Sequence, residues 1–359
     1  MHFSRHPAVL SDLPALRLSL WVRRLALAGV VLCFGVVVLG GYVRLTAAGL
    51  GCPDWPGCYG HVTPLGAEES ASAQAAFPAR PLDVGKAWRE MIHRYAASTL
   101  GLIIVVIAAT AIVTRRTGLI RVPYAIGLLL LVVFQGVLGM LTVTWRLKPL
   151  IVTGHLLFGL TTLSLLWWLW LSLPAESPGP ANGLAVQGPN SAVMRTNWRL
   201  ALIGLVGLGC QIALGGWTSS NYAAVACPDF PTCQNAWWPH ADFRDAFVLW
   251  RGLAINFEGG VLDQPARVAI HLTHRLGALM TTVLLSCAVA ATLLRAAPRG
   301  AHRAAMAVLA ALALQLAIGI CMVLRGFPLW LATAHTGGAA LLLLSVLALL
   351  RNLLPAPPP

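Results

Sequence analysis

Charge is what this sequence has least of. Only 10% of its 359 residues are charged and only 12 are acidic, where a soluble domain carries about 25% charged residues. A chain this poor in charge cannot cover a water-facing surface, which excludes an ordinary soluble globular protein. Dense basic runs with interleaved aromatics are also missing. The net charge is +13, but the 25 Lys and Arg residues are scattered, so a nucleic-acid surface is not expected. A cleavable leader is not expected either. The amino terminus is basic and then apolar, yet its apolar run over 21–43 exceeds the ~7–15 residues of a secretory signal. It reads as a retained first helix.

What is present is apolar length. Residues of hydrophobic type make up 58% of the chain, and eight stretches approach the roughly 20 residues that cross a bilayer: 21–43, 90–113, 122–144, 150–173, 199–217, 268–292, 303–323 and 328–350. Pro123 and Pro328 fall near helix starts, where a missing N–H costs little. Short connections on one side hold Arg115, Arg116, Arg121, Arg295, Arg299 and Arg303, joined by Arg5, Arg17, Arg23 and Arg24 of the amino tail. The opposite short connections hold Arg146 and Lys148, and then Arg325. That bias places both termini in the cytoplasm.

The chain repeats itself. Gly40-Gly41-Tyr42 answers to Gly215-Gly216-Trp217, Cys52-Pro-Asp-Trp-Pro-Gly-Cys58 to Cys227-Pro-Asp-Phe-Pro-Thr-Cys233, and His93-Arg94 to His274-Arg275. Gln135 and Gly139 answer to Gln315 and Gly319, and His155 to His335. The shift stays between 175 and 181 residues throughout. Four spans per half is an even number, so both halves enter the membrane in the same sense. The expected fold is an all-α integral membrane protein of eight transmembrane helices, arranged as two tandem parallel-repeat four-helix bundles. Its parts are a tail at 1–20, bundles at 21–173 and 198–351, a cytoplasmic linker at 174–197, and a tail at 352–359.

His93, His155, His274 and His335 each fall near the outer start of an inward-running helix. Each bundle then offers two imidazoles from two helices at similar depth, the arrangement bis-histidine ligation of haem iron requires. An ionisable group at membrane depth points to function by default. Hydrogen-bonded packing histidines, a proton relay and zinc are the alternatives; structural zinc wants four ligands at short spacings. Arg94 and Arg275 follow ligand histidines at the membrane boundary, as candidates for pairing with haem propionates or for snorkelling to water. Glu90 shares a helical face with His93, whereas the matching position in the second half is His271. A carboxylate there serves as general base, proton carrier or charge stabiliser, or as a helix-start acid favoured by the dipole.

Eight cysteines divide evenly. Cys33, Cys210, Cys287 and Cys321 lie within apolar spans as packing residues. Cys52 with Cys58 and Cys227 with Cys233 form two C-x5-C pairs in outer loops, where disulfides persist. The Pro-Asp-aromatic-Pro interior is expected to turn tightly and bring the sulfurs together. A structural staple is the plainer role, a redox-active pair the sharper one, and a zinc site from both pairs a third.

Glu90-x-x-His93-Arg94, Gly154-His155, His271-x-x-His274-Arg275-Leu-Gly, Ala334-His335 and the two C-P-D-x-P-x-C loops together resemble the haem A synthase family. The likeness covers about residues 20–350 in order, spacing and duplication. It implies an oxidoreductase of the inner (cytoplasmic) membrane that hydroxylates one methyl of haem O twice, the gem-diol losing water to give the formyl group of haem A. It implies further that His93 and His155 meet the substrate iron, that His274 and His335 ligate a haem b cofactor, and that Glu90 matters for the reaction. The haem sites would lie toward the outer face. Haem O is the implied substrate; a haem O synthase, a quinol or ferredoxin-like electron donor, the lipid bilayer and a further copy of the chain are the candidate partners. A membrane di-haem cytochrome b and a non-catalytic haem carrier are the competing readings.

Overall fold

The computed structural model describes residues 13–174, 191–253 and 255–354. Eight long helices dominate it: α1 (Leu13–Leu45), α2 (Val84–Val113), α3 (Val122–Thr144), α4 (Pro149–Ser172), α5 (Ser191–Ser220), α6 (Gln264–Leu294), α7 (Arg299–Leu324) and α8 (Leu329–Leu353). All eight are long and apolar enough to cross a membrane, and no strand occurs among the described residues. The chain is a multi-pass membrane protein. Most of the linker expected at 174–197 lies outside the described residues, and α5 already begins at Ser191.

Several helices start earlier than their apolar stretches suggest. α2 opens at Val84 because the Asp83 side chain accepts from the backbone N–H of Lys86 at 2.9 Å, satisfying a donor the first turn leaves free. Lys86 and Arg89 make that turn polar, which hid it from a reading by hydropathy. Glu90 therefore lies in the second turn, and its expected alternative role as a helix-start acid falls to Asp83. Pro123 and Pro328 do sit at helix starts.

The odd-numbered helices all end the same way. The amides of Ala48, Leu147, Ala223 and Phe327 each reach five residues back, to the carbonyls of Val43, Thr142, Thr218 and Met322, at 2.8–3.0 Å. The residue before each is left-handed: Ala47 (φ 49°), Arg146 (φ 48°), Tyr222 (φ 55°) and Gly326 (φ 69°). This closure satisfies carbonyls that the helix end would otherwise leave bare. Only one of the four residues is glycine, although the left-handed conformation costs other residues roughly 1–2 kcal/mol.

Within the first half α1 packs on α2 and α4, and α3 packs on α2 and α4; the second half repeats this, with α5 on α6 and α8 and α7 on α6 and α8. The halves meet through α1 on α8, α4 on α5 and α4 on α8. Trp167 of α4 donates its indole N–H to the Leu344 carbonyl of α8 at 2.9 Å across that seam. The main buried cluster, including Ile104, Leu128, Leu163, Leu166, Leu285 and Leu349, fills one end of all eight helices. With no hydrophobic driving force between helices in lipid, such packing holds them by van der Waals contact. The histidines lie beyond the other end of this cluster. Cys33 is packed as expected, but Cys210, Cys287 and Cys321 face outward. They sit on the lipid-facing stripes of their helices, so an apolar neighbourhood in sequence did not mean burial between helices.

Candidate functional site

Each of the four histidines rests on a glycine of a neighbouring helix. A Cβ on Gly40 of α1 would stand 2.9 Å from His93 Nε2, and one on Gly215 of α5 would stand 3.2 Å from His274 Cε1. On Gly139 of α3 it would meet His155 Cε1 at 3.5 Å, and on Gly319 of α7 it would meet His335 Cε1 at 3.0 Å. Glycine leaves these rings room that any other residue would fill. The rings then fall into two pairs within electrostatic reach of each other, His93 with His155 and His274 with His335. His93 and His274 occupy the third turns of α2 and α6, deeper than the first turns expected from sequence. All four side chains are half-buried.

Their surroundings suit a metal of the haem kind. The Nδ1 atoms of His155 and His335 are buried without a hydrogen-bond partner. Gln211 meets Nδ1 of His274 at 3.1 Å, and Gln315 meets Nε2 of His335 at 3.3 Å, so the two rings of the second half are engaged at different nitrogens. His155 and His335 thus each keep a buried ring nitrogen that no protein group satisfies, which is what an imidazole offers a metal. Among the described residues no group of three or more His, Cys, Asp or Glu could hold a metal ion, so a zinc cluster has no place here.

Glu90 is buried and both its oxygens are engaged. Oε1 pairs with Arg94 Nη2 at 2.5 Å, and Oε2 accepts from the Cys52 amide at 2.9 Å. Arg94 continues into the first cysteine loop, donating to the carbonyls of Asp54, Pro56 and Gly57. Arg275 does the same in the second loop, with the carbonyls of Cys227, Asp229, Pro231 and Thr232. Of the two arginines expected at propionates, Arg275 thus has both terminal nitrogens on its loop, and Arg94 has Nη1 on its loop and Nη2 on Glu90. His271, at the place of Glu90, is buried against Phe327 and its Nδ1 has no partner.

The loops are near copies. Disulfides link Cys52 to Cys58 and Cys227 to Cys233. The Pro-Asp-aromatic-Pro interior turns tightly as expected, with cis bonds at Trp55-Pro56 and Phe230-Pro231 and the cysteine Cα atoms 4.8 and 4.6 Å apart, and a second tight turn follows just past the second cysteine. Cys58 and His61 exchange backbone hydrogen bonds around Tyr59-Gly60, and Cys233 and Ala236 do so around Gln234-Asn235, with positive φ at all four central residues. This is the two-residue turn of a hairpin. Asp54 holds the first turn by accepting from the amides of Tyr59 and Gly60; Asp229 holds the second through Gln234 and Asn235, and accepts from the Thr232 hydroxyl as well.

A family described as COX15-CtaA, cytochrome oxidase assembly protein, matches residues 23–347. The chain belongs to this family. It is 41% identical over 335 residues to a protein of Shewanella oneidensis named Heme A synthase, covering 92% of this chain and 94% of that one. Proteins of the same name from Allorhizobium ampelinum and Halalkalibacterium halodurans are 30% and 25% identical, over 93% and 87% of this chain and 90% and 91% of theirs.

Within this member of the family, the sequence pointed to all four histidines, Glu90 and both cysteine pairs. It passed over Asp54, Asp229 and Gln211, and gave Gln135 and Gln315 no role beyond the repeat. Gln135 was visible as one of a repeated pair, but Gln211 was not connected to it. The signal was there: Gln135, Gln211 and Gln315 each precede a histidine-bearing glycine seat by four residues, at Gly139, Gly215 and Gly319.

Proposed function

We propose that this chain is a haem A synthase that oxidises one methyl of haem O to the formyl group of haem A in its amino-terminal half, with a haem b held in its carboxy-terminal half. The observation that carries the reading is one asymmetry between otherwise matching sites. Glu90 stands one turn before His93, and His271 stands one turn before His274. An acid in only one of two haem-sized sites marks the half where a substrate is changed. A haem between His274 and His335 would supply one-electron chemistry to that reaction.

The chain's own residues do the rest. His93 and His155 orient the substrate from α2 and α4. Glu90 holds a carboxylate beside them, kept in place by Arg94 and the Cys52 amide, where it takes or gives a proton as the methyl is oxidised. The disulfide loops shield the histidine ends of the bundles from water. Propionate pairing by Arg94 and Arg275 is supported by their charge and by their place beside the ligands; the loops would share those guanidinium groups. Basic residues in the short connections support cytoplasmic termini, which puts both haem sites toward the outer face. Two reciprocal contacts support the parallel relation of the halves: a Cβ on Gly41 of α1 would meet Thr336 of α8, and one on Gly216 of α5 would meet Leu156 of α4. The reading needs a source of haem O, such as a haem O synthase, an oxidant such as dioxygen for each hydroxylation, and an electron donor of quinol or ferredoxin-like type to reduce its second oxygen atom to water.

The test is co-expression with a source of haem O, followed by extraction of the haems. Haem A, or hydroxylated haem O on the way to it, is the expected product. Folded protein that retains haem and yields neither would overturn the synthase reading in favour of an electron-transfer cytochrome or a carrier.

A further inference from the structure

The residue three places after each of the four histidines lies one turn further along the same side of its helix, and it differs between the halves. In the second half it is glycine both times. A Cβ on Gly277 of α6 would collide with Oε1 of Gln211, and one on Gly338 of α8 would collide with Oε1 of Gln315. Helix α5 thereby presses on α6 beside His274, and α7 on α8 beside His335, an approach that small residues permit. In the first half the same places hold Ala96 and Phe158. Gln135 of α3 comes nearest to Gly159 instead, where a Cβ would stand 3.0 Å from its Nε2. The α3–α4 crossing is thus shifted by one residue, and Phe158 is turned out of it. There Phe158 meets Phe134 of α3 edge to face, with ring centroids 5.0 Å apart. Both residues are open to the outside of the bundle, 40% and 43% exposed. In the second half Gly338, which is buried, and Leu314 occupy these two places.

We propose that Phe134 and Phe158 are specificity residues that receive the isoprenoid chain of haem O where it leaves the α3–α4 seam for the bilayer. This rests on the reading above, in which haem O lies between His93 and His155, and it names what that site recognises. Haem O carries a long isoprenoid chain where haem b carries a vinyl group, so only the substrate half needs an apolar exit for a side chain. The pair stands one turn from His155, faces the lipid side of two spanning helices and has no hydrogen-bonding group. Such a surface suits a hydrocarbon chain and nothing polar. In lipid the gain is van der Waals contact with fixed rings rather than escape from water. The matching place beside His335 is sealed by the close approach of Gln315 to Gly338.

The experiment offers haem O and isotope-labelled haem b in competition to purified full-length protein in lipid nanodiscs, then extracts and weighs the bound haems. The parent is expected to retain haem O over labelled haem b. The double variant Phe134→Ala, Phe158→Ala is expected to lose most of that preference while taking up haem b as the parent does, and Leu314→Ala to keep it. A parent without preference, or a double variant with the parent's ratio, would overturn the proposal. A second measurement leaves the seam filled: Phe134→p-benzoylphenylalanine should capture haem O on irradiation, and capture of lipid or of a second copy alone would overturn it too. His93→Ala and His155→Ala separate this failure from that of the ligation reading. If they hold haem O as the parent does, the ligation is wrong; if they lose it while the double variant keeps its preference, only the chain contact is wrong.

Discussion

The four glycine seats differ in how much room they leave, and the differences can be tested one methyl at a time. Gly139→Ala would put its Cβ 3.5 Å from His155, ordinary contact, whereas Gly40→Ala would put one 2.9 Å from His93 Nε2. Overpacking of that kind costs about 1–3 kcal/mol or moves the ring. Gly40→Ala is therefore expected to lose haem from the amino-terminal half and product with it, while Gly139→Ala keeps both, as read by haem extraction. Glu90 gives a second residue-scale prediction. Glu90→Gln keeps the shape and removes the charge, so haem A should fall about 100-fold or more while haem b stays in place. Glu90→Ala also strands Arg94 and the Cys52 amide, and loss of one partner of a buried pair costs about 3–5 kcal/mol. Both variants should melt at lower temperature, Glu90→Ala the more so, because glutamine keeps one acceptor oxygen for the two donors and alanine keeps none. Histidines and Glu90 were legible because rare ionisable groups stand out in an apolar chain. The glutamines were less so, because an uncharged amide in a span is read as packing until its partner is known, and Gln211 and His274 are 63 residues apart.

At the level of elements, the repeated cysteine loop is a small hairpin closed by a disulfide, tied at its turn by an aspartate and pinned to the next helix by an arginine. The Thr232 hydroxyl, with the amides of Asn235 and Gln234, holds the Asp229 carboxyl below its usual value of 3.8. A group whose folded value lies below its unfolded one stabilises the fold above the unfolded value and loses that contribution as pH falls through the folded one. The second loop should thus stay closed to pepsin near pH 4 and open only in stronger acid, and Asp229→Ala should open it already at pH 4. Equal cleavage of both at pH 4 would count against the aspartate's part. The apolar runs located all eight helices, but their ends were harder to place. Asp83 capping a polar first turn moved the start of α2 outward, and Ala47, Arg146 and Tyr222 end helices in a conformation that usually announces itself by glycine.

At the scale of the whole molecule the two halves are joined twice over. The first joint is the seam of α1, α4, α5 and α8. The second is an outer strap: residues after the short helical turn Phe243–Ala246 of the second half reach back over the α3–α4 turn of the first. Lys148, 1% exposed, donates to the Gly252 carbonyl and lies 3.5 Å from the centre of the Trp250 ring, with Trp145 and Phe257 completing the enclosure. The Phe257 amide donates to the Arg146 carbonyl at 3.1 Å, and Phe257 joins Leu50, Val143 and Leu147 in a buried cluster. No sequence pattern could suggest it, since it joins segments about a hundred residues apart and has no copy: Pro328 occupies the place of Lys148 in the second half. Lys148→Ala should free the strap, worth about 2 kcal/mol for a desolvated cation on an aromatic face, and protease should then cut within 248–258 in membranes where the parent chain resists. This unpaired strap also bears on separability. If the two halves were produced as separate polypeptides, the carboxy-terminal piece would carry its own loops complete, while the amino-terminal piece would emerge uncovered at its outer turn. Functional reassembly would then depend on which fragment is synthesised first, and the ancestral single repeat must have closed that turn by some other means.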